Sequence, residues 1–196
     1  MKKMILGATA AALLASPALA APSAEQTVTI NGTAPTVCTL GAPTSANLVG
    51  NLNVTGSTVT VTGLFDAADA TMDAGSVTLR FAGMCNYPHN VSLKSANGYL
   101  YNTTSNVAPL SGTFFRRIGY NAAYAWANVF RPTAIPAVDS TLAGQSGVAV
   151  TSADAAVSGA NLGTLNVTLR FDGSGTTPVV AGNYTDSLTV QIGADL

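Results

Sequence analysis

The chain has 196 residues, a formal net charge of −1 and only 9% charged residues. Soluble domains ordinarily carry roughly 25% charged residues, so Thr, Ser, Asn and Gly must cover most of this surface, and the basic footprint of a nucleic-acid binder is absent. One histidine and two cysteines leave little material for a catalytic pair or a metal centre.

The first twenty residues read as an export signal rather than as structure. Lys2 and Lys3 form a basic start, residues 4–14 a short apolar core, and Ala18-Leu19-Ala20 a small-residue cleavage site. That apolar run is too short to span a bilayer, and no later segment is long and apolar enough. The expectation is an exported protein beginning near Ala21, not an integral membrane protein, with enough chain left for one domain with a real core. A weakly charged surface also repels neighbours poorly, which favours close packing of subunits.

Segment 21–36 contains an alternating stretch, Gln26-Thr27-Val28-Thr29-Ile30-Asn31-Gly32-Thr33-Ala34, followed by Pro35. Val28, Ile30, Gly32 and Ala34 share one face, and Thr27, Thr29, Asn31 and Thr33 the other. Period-two alternation is the pattern of a half-buried strand, and pairing should stop at Pro35, which has no N–H to donate. Such a strand completes either the sheet of its own domain or that of a neighbour. Residues 37–196 then read as the domain itself. Its two cysteines, Cys38 and Cys85, in an exported chain predict one disulfide, worth about 3–4 kcal/mol through loop closure.

Most of the remainder predicts strands. Val77, Leu79 and Phe81 alternate with Ser76, Thr78 and Arg80; Leu165, Val167, Leu169 and Phe171 with Asn166, Thr168 and Arg170; Leu188, Val190 and Ile192 with Ser187, Thr189 and Gln191. Weaker strand signals cover 54–61, 91–101, 115–120 and 148–150, with turns at Asn97-Gly98, Asp172-Gly173 and Gly182-Asn183. Many short strands and few helix signals predict an all-β sandwich. Residues 66–75 read as a helical turn or loop, and 128–147, with Pro132 and Pro136, as a long surface excursion. The octets Ser76-Val77-Thr78-Leu79-Arg80-Phe81-Ala82-Gly83 and Asn166-Val167-Thr168-Leu169-Arg170-Phe171-Asp172-Gly173 nearly coincide. One matched octet is not a repeat architecture; it reads as two strands meeting the same half-buried requirement.

Signals for chemistry are weak, and the chain is not expected to be an enzyme or to hold a cofactor or metal. His89 lies in Cys85-Asn86-Tyr87-Pro88-His89-Asn90 and reads as a surface turn residue, and no Gly-x-Ser-x-Gly elbow occurs. Asp66, Asp69 and Asp73 could share a face, but their spacing is not that of an EF-hand loop, so they read as a solvated acidic loop. Arg116 and Arg117 would point to opposite faces of a strand, one exposed and one partnered inside. Sequons at Asn53, Asn90 and Asn166 are expected by chance in a chain rich in Asn and Thr. An aromatic content of 7% argues against the aromatic girdles of an outer-membrane barrel.

Four features in order resemble the spore coat U domain family, which includes the pilins of archaic chaperone–usher fimbriae. They are the alternating segment leading into Val37-Cys38-Thr39; the second cysteine closing Val77-Thr78-Leu79-Arg80-Phe81-Ala82-Gly83-Met84-Cys85; Phe115-Arg116-Arg117-Ile118-Gly119-Tyr120-Asn121; and Ala181-Gly182-Asn183-Tyr184-Thr185-Asp186-Ser187-Leu188-Thr189-Val190. The region around Trp126 matches loosely, 128–147 resembles an insertion, and the tail Gly193-Ala194-Asp195-Leu196 runs slightly past the family's strand end.

The resemblance implies an immunoglobulin-like β-sandwich that lacks its final strand and so leaves a groove between two edge strands. It further implies a periplasmic chaperone that lends a strand to that groove, and an outer-membrane usher that exchanges it for the N-terminal segment of the next subunit. The donor face would be Val28, Ile30, Gly32 and Ala34, and Leu188, Val190 and Ile192 would form one wall of the acceptor groove. Partners would be identical or related pilins joined head to tail, and the product a cell-surface fimbrium serving adhesion and biofilm formation. A different expectation remains open from the residues alone: a self-contained secreted sandwich acting as a spore or cell coat or ligand-binding protein.

Overall fold

The computed structural model describes residues 25–104, 114–127, 129–135, 149–152 and 154–194. The expected signal segment 1–20 lies outside them, as do 128 and 136–147 of the expected surface excursion and Val148 of the expected strand 148–150. The chain divides into two units, Met1–Ala34 and Pro35–Leu196. In the first, the described residues 25–34 are exposed and belong to no strand. Val28 is 80% exposed and Ile30 90%, and a Cβ added to Gly32 would meet nothing within 4 Å.

The second unit is all-β. Its strands are β1 (Cys38–Val49), β2 (Asn53–Thr55), β3 (Thr58–Thr60), β4 (Gly75–Cys85), β5 (His89–Ser95), β6 (Leu100–Asn102), β7 (Arg117–Ile118), β8 (Tyr120–Trp126), β9 (Val129–Ile135), β10 (Val150–Thr151), β11 (Ala155–Val157), β12 (Asn161–Phe171), β13 (Tyr184–Thr185) and β14 (Leu188–Gly193). A short 3-10 turn spans Thr62–Leu64. Two sheets dominate. One has the order β1-β4-β12-β8-β9. In the other, β5 pairs with β10 and β11, and with β14. All these ladders are antiparallel. Two small sheets, β13-β6-β7 and the hairpin β2-β3, lie beside them.

The inner faces of the two main sheets form a single core, as expected for a sandwich. Val77, Leu165, Val167 and Tyr124 come from one sheet, and Val91, Leu93, Ala155 and Val157 from the other. The Tyr124 hydroxyl donates to the Val91 carbonyl at 3.2 Å and ties the layers together. Strict alternation holds along β4 and β8 and, in β12, from Leu165 to Phe171, where every second residue is buried. The matched octets prove to be neighbours: β4 and β12 pair so that Thr78 faces Thr168, with their hydroxyls 3.1 Å apart. The turns at Asn97-Gly98 and Asp172-Gly173 place both glycines at positive φ, 76° and 78°, where an L side chain is strained.

Two local readings need correction. Residues 129–135 form β9, the edge strand beyond β8, where Pro132 is tolerated because an edge strand leaves one side of its backbone unpaired. His89 is not a surface turn residue: it opens β5 and is only 3% exposed. Its Nδ1 lies 2.8 Å from the Tyr87 carbonyl, and its Nε2 accepts from Trp126 Nε1–H at 2.8 Å. Because an indole N–H only donates, the ring is the neutral tautomer with its proton on Nδ1. Residues 66–74, expected as a helical turn or a loop, are a loop that folds back so that Phe65 pairs with Met72.

Candidate functional site

β1 pairs only with β4 and β14 only with β5, so each leaves one backbone edge unpaired among the described residues. These two edges belong to different sheets and flank one open side of the sandwich. Between them lies a cleft of about 250 Å³. Leu40 and Pro43 of β1 line one wall and Leu188 and Val190 of β14 the other, while Leu79, Phe81, Leu169 and Phe171 form the floor. The wall residues are half-buried although they point at the core, whereas Val77, Val91, Leu93, Leu165 and Val167 are fully buried. Apolar side chains facing a core yet open to solvent, beside unpaired N–H and C=O groups, form a template for another strand.

β1 owes its shape to an irregularity. Leu40 faces Gly83 and Pro43 faces Phe81, so one extra residue is inserted on β1. The bulge rephases the strand, and Leu40 and Pro43, three positions apart, both look into the cleft. A second shift falls between Ala46 and Val49, beside Asn47 at φ 51°. The end of β1 is fixed by the Cys38–Cys85 disulfide, which spans 47 positions and joins directly opposed residues of the β1/β4 ladder. Asn86 strengthens this anchor: its Oδ1 accepts from Val37 N–H at 2.8 Å and its Nδ2 donates to the Pro35 carbonyl at 2.8 Å.

Ile192, expected to continue the β14 wall, lies where the core is already filled. A Cβ added to Gly83 would stand 3.5 Å from Ile192 Cδ1 and only 2.9 Å from Trp126 Cη2. The depth of the cleft therefore lies at the Leu188 and Val190 end. There Asp186 reaches the rim and accepts from Tyr120 Oη at 2.6 Å, Ser95 Oγ at 2.5 Å, Asn97 N–H at 2.9 Å and Asn97 Nδ2 at 3.2 Å. Burial, followed by the hydrogen bond to Asp186, holds the Tyr120 phenol well above its ordinary pKa. This carboxylate fastens the entry of β14 to β8 and to the turn after β5, at the lining of the cleft. Sequence reasoning had noted Asp186 only inside a motif; its partners lie 66 to 91 positions away.

The other singled-out residues serve local structure. Asp66 Oδ1 accepts from Ala68 N–H at 2.7 Å, and Asp69 Oδ1 accepts from both the hydroxyl and the N–H of Thr71. Those bonds, the hydroxyl foremost, lower the Asp69 pKa. Among the described residues, no group of three or more His, Cys, Asp or Glu is arranged to hold a metal. Arg117 is buried with its guanidinium carbon 4.7 Å from the centre of the Tyr99 ring, a cation–π stacking distance; Arg116 is half-buried. Among the described residues no helix is long and apolar enough to cross a membrane.

No family model matches the chain, and no curated protein is similar to it. Among solved structures, a chain described under a chaperone–tip adhesin complex vital for synergistic activation of CFA/I fimbriae biogenesis is similar over 81% of this chain, at 12% identity and a TM-score of 0.40. The present chain spans 42% of the length of that neighbour, a likeness too distant to assign a role.

Proposed function

We propose that the chain is a structural subunit of an archaic chaperone–usher pilus, polymerising by donor-strand exchange into a surface fibre. The observation that carries this reading is the pair of unpaired edges, β1 and β14, enclosing a cleft of half-exposed core side chains. The same chain carries a segment whose alternating apolar residues, Val28, Ile30, Gly32 and Ala34, are exposed and belong to no strand. In the fibre, that segment of one copy pairs with the β14 edge of the next. β-strand addition of this kind gains affinity from main-chain hydrogen bonds and specificity from alternate side chains in pockets.

A head-to-tail contact between two different surfaces leaves one of each free at the ends and propagates into an open filament. Before assembly an unfilled cleft is an aggregation hazard, so a periplasmic chaperone shields it and an outer-membrane usher directs the exchange. The order of the four sequence features supports placing the subunit in the spore coat U family. On this reading the segment before Pro35 is a donor arm, residues 37–196 the acceptor domain, and the assembled product a cell-surface fibre for adhesion and biofilm formation.

The test is deletion of residues 27–34. The shortened subunit should still be exported, form its disulfide and bind a chaperone, yet fail to extend fibres. Fibres of ordinary length from the deleted chain would refute donor-strand exchange through this segment.

A further inference from the structure

The cleft has a third wall. Besides β1 and β14, its deep end is lined by Ser57 and Val59 of the β2–β3 hairpin and by Val61 just after it. Among the described residues the hairpin pairs with neither main sheet; its ladder joins β2 to β3, with Val54 opposite Val59. A lone two-stranded hairpin is marginal in water, so this one is held by the apolar surface under Val54 and Val59. Both side chains are half-buried against the edge of the core, and Val59 still presents surface to the open cleft.

Resting on the donor-strand reading above, we infer that the hairpin is an end clamp for the inserted strand, with Val59 packing onto the incoming segment of a second copy. The occupant is argued from this chain: Val28 and Ile30 are large, exposed apolar groups two positions apart in a segment of period-two alternation, and the cleft that Val59 lines is walled by apolar side chains of β1 and β14. Seating the strand would bury the remaining surface of Val59 and fix the hairpin in the same step. Hairpin and donor would then stabilise each other, and release of the donor would require both to let go.

The experiment uses polymers of the full exported chain and follows their dissociation into subunits on heating in detergent. Val59→Asp, which places a charge on the clamp, should speed dissociation by at least about tenfold, the equivalent of losing one buried valine side chain. Thr58→Asp, on the exposed side of the hairpin, should dissociate like the wild type. Folding of each subunit is verified by the Cys38–Cys85 disulfide and by the fluorescence of Trp126; if Val59→Asp does not fold, Val59→Ser is read by the same comparison. Wild-type dissociation from a folded Val59 variant, while Val190→Asp on β14 blocks polymer formation, would overturn the clamp and leave the cleft reading intact. A wild-type chain that forms no polymer, with or without chaperone and usher, would overturn both.

Discussion

The phenolic hydroxyl of Tyr120 donates to Asp186 Oδ2 at 2.6 Å, linking the first residue of β8 in one sheet to the residue two positions before β14 in the other. Since Ser95 and Asn97 also converge on this carboxylate, it holds the strand that borders the cleft. Asp186→Ala should cost about 2–3 kcal/mol, because a hydrogen-bonded charge is lost and the buried phenol is left without an acceptor. Urea denaturation measures it. A variant as stable as the parent would mean that β14 is held by its ladder to β5 alone.

The same pair makes stability depend on pH at the alkaline end. Tyr120 is pushed above its ordinary value by burial first and by its bond to Asp186 second, and burial also raises Tyr99, Tyr124 and Tyr184. A phenol whose folded pKa is raised favours the protonated form in the native state. Its contribution is complete below the unfolded value of about 10 and is lost as pH climbs from there towards the folded value. The denaturation midpoint should therefore fall above about pH 10, and Tyr120→Phe should make that fall shallower. An equal fall in parent and variant would place the effect in the other tyrosines.

His89 and Trp126 define a second interior point, at the disulfide end of the sandwich. His89→Leu leaves the buried indole N–H without its acceptor and should cost about 1–3 kcal/mol. Gly83→Ala attacks the same place sterically, since its Cβ would stand 2.9 Å from Trp126 Cη2, and overpacking of this kind costs about 1–3 kcal/mol. Trp126 is the chain's one tryptophan, so its fluorescence reports both changes without labelling. An unshifted emission spectrum and unfolding midpoint in both variants would show that this corner repacks freely.

Reduction of the disulfide tests how β1 is held. β1 pairs on one side only and most of it is exposed. Cys38→Ala should cost about 3–4 kcal/mol through loop closure, and hydrogen exchange should quicken along Thr39 and Leu40 before it does in β4. Uniform exchange with unchanged stability would mean that the Asn86 bonds to Val37 and Pro35 suffice.

What the sequence made legible follows the regularity of each strand. The runs Ser76–Phe81 in β4, Leu165–Phe171 in β12 and Leu188–Ile192 in β14 alternate large apolar with polar residues, and each strand appears within a few residues of its expected place. β1, the longest strand, gave no such signal, because the bulge between Leu40 and Pro43 breaks the period of two. In β8, small alanines occupy both faces between Tyr120, Tyr124 and Trp126 and flatten the contrast; in β9, Pro132 argued for a loop. His89 read as a turn residue from its neighbours Pro88 and Asn90, whereas its environment is set by Trp126, 37 positions away. Leu188 and Val190 of the regular strand β14 line the cleft. The facing wall and the hairpin at its end depended on register and packing that local pattern does not encode.

Gly32 offers a sharp separation between folding and assembly. A Cβ there would meet nothing within 4 Å, so Gly32→Val should leave the stability of the single subunit unchanged. If Gly32 passes over the cleft floor of another copy, the added isopropyl group must be accommodated in a packed interface, where overpacking costs about 1–3 kcal/mol. Polymerisation should then slow and the polymers should dissociate at lower temperature, while Thr33→Val, on the opposite face, should have little effect on either. Equal polymerisation by both variants would mean that the face bearing Val28, Ile30, Gly32 and Ala34 is not the one that meets the neighbour.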